Sequence, residues 1–384
     1  MQHKSKNIKY TYFVSKIRDN SHMKRVRYAP MLILLCVMHF VVDFICASTL
    51  SICFTSVYKY NVNVSLASAA FLVYNCTAFL LQPLLGLWMD KIKAPLLLKL
   101  MMVFSAMSLI VGAIFEFAFA THAFGAILGA IFLGFGNALF HVIGGKESLE
   151  MSNNSTPGGL FVSTGALGLS LGLMYSLDTL GGLIRLAIAM PFIFGILTAV
   201  HAFIPFENEK IVYKEIKAPT KIMLVVLLLL CVAVAIRSFL GFFASSSPKL
   251  TGTWMVFLIA VCAFLGKAIG GIIYDLAGPY VLIIMSTVLA TISGFLLEYV
   301  AFNYLFVLAI NLLMPLTLDC IRRIFPNKEG FAFGLLAAFL IPGYLIGQML
   351  KGNVYDFSWV VVLLTGGMLF TIYILINNKK ICEK

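Results

Sequence analysis

Long apolar runs separated by short polar interruptions set the pattern of this chain. Twelve runs can be marked, at roughly 29–52, 66–89, 94–118, 121–143, 158–180, 182–205, 221–246, 252–276, 279–298, 300–319, 330–352 and 356–378. A helix crosses a hydrocarbon core in about 20 residues, so each run is long enough to span. Within the runs apolar residues do not alternate with polar ones, as they would in barrel strands. Backbone polar groups must also be satisfied inside lipid, so the runs are read as helices. The expected fold class is an all-α membrane protein with twelve transmembrane helices in two six-helix bundles. The longest interruption between runs, FENEKIVYKEIKAPT at 206–220, divides six runs from six. The expected organisation is a basic tail (1–28), an N-terminal bundle (29–205), a linker (206–220), a C-terminal bundle (221–378) and a short tail (379–384).

Composition agrees with this reading. Of 384 residues, 61% are hydrophobic and 11% are charged, against about 25% charged in an average soluble domain. The formal net charge is +12, and its distribution sets an orientation. Lys4, Lys6, Lys9, Lys16, Arg18, Lys24, Arg25 and Arg27 face Asp19 alone in the N-terminal tail. Lys91, Lys93, Lys146, Lys210, Lys214, Lys217, Arg322, Arg323 and Lys328 follow even-numbered runs, whereas odd-numbered loops hold little beyond Lys59, Arg185, Lys249 and Lys351. The positive-inside rule then places both termini and the linker in the cytoplasm. A basic tail of this kind suits anionic lipid, and no nucleic-acid partner is expected. The eight cysteines show no C-x-x-C and no zinc-type spacing. They read as small apolar residues, and neither a metal nor a cofactor is expected. Gly145-Lys146-Glu147 is not a Walker-type Gly-Lys-Ser/Thr, so ATP is not expected to drive this chain.

The end of the second run reads GLWMDKIK, with Gly86, Asp90, Lys91 and Lys93. At the end of the eighth run, 185 residues on, Gly271 and Asp275 repeat the spacing and Gly278 follows. Two copies in register with a six-plus-six count point to an internal repeat. The first copy resembles the signature loop between helices 2 and 3 of the major facilitator superfamily, and the second resembles its partner between helices 8 and 9. MHFVVDFICA (38–47), LQPLLGLWMDK (81–91) and GFGNALFH (134–141) are similar to the fosmidomycin-resistance-type subgroup. The resemblance implies a transporter in a bacterial plasma membrane, with efflux as one direction. It also implies a cytoplasmic gate in which Asp90 meets a helix N-terminus and basic residues. Lys93 stands where the family has a glycine, and Leu276 where it has a basic residue.

Polar groups inside the spans are costly, roughly 2.5–3.5 kcal/mol for an ionised side chain at a helix centre. They concentrate on spans 1, 4, 7 and 10, the helices that line the central cavity in the resembled family. His39 and Asp43 lie four apart on span 1, and Asn137 and His141 four apart on span 4; Arg237 is on span 7 and Asn311 on span 10. These six residues are the expected substrate or proton pathway. Asp43 and Arg237 could face each other across the halves as a coupling pair, form a permanent structural pair, or have separate partners. His141 reads either as part of a gate or as a helix-end histidine held by backbone. Lys267 on span 8 is expected to snorkel outward, and Asp319, Arg322 and Arg323 to form an interfacial cluster. Gly165, Gly168, Gly172, Gly266, Gly270, Gly343 and Gly347 read as helix contacts, helices 5 with 8 and 2 with 11 joining the halves.

The functional expectation is a monomeric secondary transporter working by alternating access. It would move a small solute, leaning polar or anionic, with protons as the coupling ion. The alternative is a transport-inactive receptor or scaffold on the same fold. No nucleophile–base set argues for an enzyme.

Overall fold

The structure is a computed structural model. It describes residues 28–51, 64–119, 122–178, 180–204, 220–245, 250, 252–350 and 358–377. The C-terminal tail and nearly all of the N-terminal tail and of the linker lie outside the described residues.

Twelve helical stretches run through the described residues. The first six are α1 (Tyr28–Ser51), α2 (Val64–Asn75, Cys76–Leu80 and Gln82–Lys91), α3 (Pro95–Phe119), α4 (Ala123–Glu150), α5 (Thr156–Asp178) and α6 (Leu180–Phe203). The second six are α7 (Thr220–Ser245), α8 (Thr253–Ala277), α9 (Pro279–Phe295), α10 (Val300–Asn311 and Met314–Ile324), α11 (Glu329–Ala338 and Leu340–Met349) and α12 (Ser358–Asn377). Ten are long and apolar enough to cross a membrane, and shorter apolar stretches occupy α6 and α9.

Three proline breaks follow from one cause. Proline lacks an N–H and clashes with the carbonyl four residues back. Pro83 sits just after the wide π turn Cys76–Leu80, Pro315 just after the break at Leu312–Leu313, and Pro342 three residues after the break at Phe339. Such breaks re-aim a helix without ending it.

Two helices run past their expected ends. α4 continues to Glu150 and α10 to Ile324. The charges beyond the expected ends are paired instead: Lys146 with Glu150 at 2.9 Å, Glu147 with His201 of α6 at 2.8 Å, and Arg322 and Arg323 with Asp319, the last residue of the tenth run, at 2.7 and 2.8 Å.

Each set of six helices forms a bundle, and α2–α11 and α5–α8 join the two. The expected glycine contacts are re-assigned. Gly168 and Gly172 back onto α1 at Phe40 and Ala47, Gly266 and Gly270 onto α10, and Gly343 and Gly347 onto α7, all within one half. At the junctions the close approaches use Gly86, Gly330 and Gly334 for α2–α11, and Gly159 and Gly271 for α5–α8. A methyl on Gly86 would overlap the Gly330 carbonyl, so the two backbones touch there.

Candidate functional site

Two constellations stand out: one where α2 and α8 end, the other deeper between the halves.

The first is a pair of reciprocal caps. A helix start leaves backbone N–H groups without intrahelical partners and carries partial positive charge. No side chain of α11 itself caps its start. Asp90, at the end of α2, supplies the acceptors: Gly330 N–H donates to Oδ1 at 3.0 Å and Phe331 N–H to Oδ2 at 2.8 Å. Lys146 adds a third bond to Oδ1 at 3.1 Å, and the Asp90 side chain is 5% exposed. Asp275, at the end of α8, does the same for α5. Ser155 N–H donates to its Oδ1 at 2.8 Å and Thr156 N–H to Oδ2 at 2.9 Å, with the Thr156 hydroxyl as third donor. Each half thus caps a helix of the other. Asp275 is exposed, whereas the Asp90 side chain is nearly covered. Leu276 leaves no basic neighbour in the sequence, yet the second cap forms on two backbone donors and the Thr156 hydroxyl.

The other motif residues have plainer places. Gly86 and Gly271 permit the close approaches. Gly278, with φ +83°, stops α8 in a conformation that glycine adopts without strain, and Pro279 opens α9. Lys91 and Lys93 are exposed.

Arg322 is a latch residue that its reading as an interfacial charge missed. It is 3% exposed and donates from α10 to Ser152 O at 2.9 Å, to Leu149 O at 3.4 Å and to Asn153 O, gripping the turn after α4. Asp319 holds the guanidinium with bonds of 3.0 and 2.7 Å. The signal was available: an arginine beside an i−3 carboxylate can be carried into a buried site, and loop carbonyls are its natural acceptors.

The deeper constellation gathers His39, Asp43, Asn137 and His141. His39 Nε2 lies 3.4 Å from Asp43 Oδ2, and His141 Nε2 lies 3.5 Å from Asp43 Oδ1. Both Nδ1 atoms meet backbone carbonyls, His39 on Phe161 O at 2.6 Å and His141 on Asn137 O at 2.9 Å. Asn137 Nδ2 reaches Tyr74 OH at 3.2 Å and Asp43 Oδ1 at 3.5 Å. α4 runs on to Glu150, so His141 is not at a helix end; the backbone part of that reading holds, with Nδ1 on Asn137 O, while Nε2 faces Asp43.

The expected Asp43–Arg237 pair is not formed. Arg237 Nη1 donates to Asn311 Oδ1 at 3.4 Å, inside the C-terminal half. It borders a cavity of about 20 Å³ with Ser286, Thr287, Thr317 and Thr365, about the room of one water. Its Nε and Nη2 have no hydrogen-bond partner there. Lys267 of α8 lies within range of charge interaction with both Asp43 and Arg237. It does not snorkel; it crosses to α5 and donates to Val162 O at 3.2 Å. Its depth could have shown this. Ten residues separate it from the end of α8, about 15 Å of helix, more than a lysine stem covers.

No family model matches the sequence, and no curated protein sequence matches it. Solved structures do. A variant of the E. coli fucose:proton symporter FucP superposes with TM-score 0.61 at 12% identity, over 92% of this chain and 100% of that one. FucP described as a major facilitator superfamily transporter in the outward conformation gives TM-score 0.66 at 11% identity, with the same coverage. At such identity the likeness concerns architecture, and this chain has the major facilitator fold.

Proposed function

We propose that the chain is a secondary transporter that moves a small solute by alternating access of its two halves. The observation that carries this reading is the pair of reciprocal caps. Each joins the halves through a carboxylate and a few backbone donors at one end of the molecule. Such contacts can break and re-form as units while each bundle stays packed. The Lys/Arg asymmetry makes that end cytoplasmic, so the structure corresponds to a state closed on the inside.

The solute site is the space between the two walls. Asp43, His39, His141 and Asn137 line the N-terminal wall; Lys267, Arg237 and Asn311 supply fixed positive charge and an amide opposite. That charge suits a small polar or anionic solute. Protons are the driving ion in this reading. The groups facing Asp43 are His39 and Cys46 on α1, His141 and Asn137 on α4, Tyr74 on α2 and Lys267 on α8. The proton symport named for FucP supports that choice. Monomer function follows from a pathway contained in one chain.

The test uses purified protein in liposomes with an internal pH dye and a panel of radiolabelled sugars, monocarboxylates, dicarboxylates and amino acids. At least one class should enter faster than into empty liposomes and carry protons with it. Asp43→Asn should abolish the proton signal. If no class moves, and spin-label distances between the α2 and α11 ends stay fixed across pH and solutes, the chain is a static receptor and the proposal fails.

A further inference from the structure

We propose that His39, Asp43 and His141 form a binding site for a first-row divalent transition-metal ion. The proposal deepens the transporter reading and rests on it for the route by which the ion reaches the site.

Position comes first. One ligand atom from each residue can be chosen so that all three lie within 4.8 Å of one another, the single such group among the described residues. Two ligands lie on one face of α1 and the third on α4, so the site is built on helices of one half and survives any separation of the halves.

Hydrogen bonding then fixes what the rings present. A backbone carbonyl only accepts, so the contacts to Phe161 O and Asn137 O place a proton on each Nδ1. In the neutral rings both Nε2 atoms carry lone pairs, and both face oxygens of one carboxylate, which also only accepts. Lone pairs directed at lone pairs need a cation among them. An Nδ1–H held by a backbone carbonyl is also the usual outer support of a metal-bound histidine.

Distance separates the candidate cations. A protonated imidazole on a carboxylate closes to about 2.7–2.9 Å. The two contacts are 3.4 and 3.5 Å. Ligands about 2.1 Å from one tetrahedral metal are about 3.4 Å apart along the edge; each Nε2 lies near that distance from a different Asp43 oxygen, and with one oxygen as the ligand the three atoms lie within 4.8 Å, so the side chains close slightly on the ion. The rings are edge-on, with centroids 4.6 Å apart at 88°, and His39 also packs on Phe161 at 4.5 Å. Gly165 backs the space: a methyl there would collide with both Asp43 Oδ2 and His39 Nε2.

Ligand type narrows the ion. Two imidazoles and a carboxylate suit zinc, cobalt or ferrous iron, whereas calcium and magnesium take oxygen ligands. Three protein ligands leave a coordination position open, as in zinc sites that take water or a substrate group in the fourth position. Lys267 opposes the ion by charge; its ammonium is bonded to Val162 O and not to Asp43.

The test titrates Co²⁺ into the purified full chain in detergent, reading visible absorption, with Zn²⁺ competition by calorimetry. One Co²⁺ per chain should bind with the bands of a nitrogen- and oxygen-ligated tetrahedral ion, and excess Mg²⁺ or Ca²⁺ should not displace it. His39→Gln and His141→Gln should each weaken binding at least about tenfold, and Lys267→Met should tighten it. Should a histidine variant not fold, Asp43→Asn, nearly identical in shape, reads the same loss. Absence of saturable one-to-one binding overturns the proposal. So does binding unchanged in these variants, which would place the ion on histidines elsewhere in the chain. Solute uptake by the same preparation in EDTA scores the transporter reading separately. Uptake without metal binding sinks the metal site alone, and binding without uptake of any solute sinks the transport reading alone.

Discussion

Replacing Asp90 by alanine should release the closed end, and the size of the effect follows from its partners. The carboxylate accepts from Gly330 N–H at 3.0 Å, Phe331 N–H at 2.8 Å and Lys146 at 3.1 Å. A hydrogen bond to a charged group contributes about 1.5–3 kcal/mol net. Lys146 keeps Glu150 at 2.9 Å, so its loss counts for little. Two backbone donors at the start of α11 remain stranded. Water can reach part of that gap, which leaves a cost of about 2–4 kcal/mol, borne by the closed state alone. Each 1.4 kcal/mol is tenfold, so the closed-to-open ratio should fall by a factor of about 30–700. Lys93 and Lys328 are exposed and lie at this end in opposite halves, and both can carry spin labels in a cysteine-depleted background. Pulsed dipolar spectroscopy should show a longer distance becoming populated in Asp90→Ala at nearly unchanged unfolding temperature. Asp275→Ala removes an exposed, solvent-screened cap and should shift the distribution less. An unchanged distance distribution in folded Asp90→Ala would refute the cap as a state-specific contact. A larger shift in Asp275→Ala would refute the argument from burial.

Three further outcomes are expected. Arg322→Ala strands three backbone carbonyls and leaves Asp319 with Arg323 and Tyr274 only, so it should lower the unfolding temperature as well as favour the open distance; a change in only one of these would mean that the turn after α4 is not held by this side chain. Double-mutant cycles should show Asp43 coupled to Lys267 by more than about 0.5 kcal/mol, and Asp43 additive with Arg237; thermal unfolding of the two four-member sets checks both. Gly165→Ala should misplace His39 and Asp43 while preserving insertion, read as lost solute uptake with normal surface expression.

Much of the fold was legible because one signal dominates it. Nearly uniform apolar runs have few ways to exist in lipid, and their count, the internal repeat and the motif spacing agreed. The boundaries failed where charge is paired inside the protein. Lys146, Glu147 and Arg322 look like loop residues in isolation, because their partners are distant in sequence or one turn away. The N-terminal wall was half legible: i,i+4 spacing placed His39 with Asp43 and Asn137 with His141, but not the convergence of the two pairs on one carboxylate. Opposite charges on spans 1 and 7 suggested a pair across the halves. That pair does not form, because Arg237 bonds Asn311 and borders its own cavity.

The two walls differ in what they can exchange. Arg237 stays cationic at any accessible pH, so it offers a constant attraction to a negative group. The His39–Asp43–His141 wall can accept or release positive charge. Lys267 links the two, since it is anchored on α8 and bonded to Val162 O of α5 across the junction. On the proposed cycle, separation of α5 from α8 removes that bond and carries the ammonium away from Asp43. A cation arriving at the Asp43 cluster repels Lys267 and favours the same separation. By linkage, whatever separates the halves must strengthen cation binding at Asp43 by the same factor. Lys267→Met should therefore weaken the dependence of the open-to-closed ratio on cation occupancy as well as tighten cation binding. A variant that binds more tightly yet keeps the full conformational response would place the coupling in some other contact between the halves.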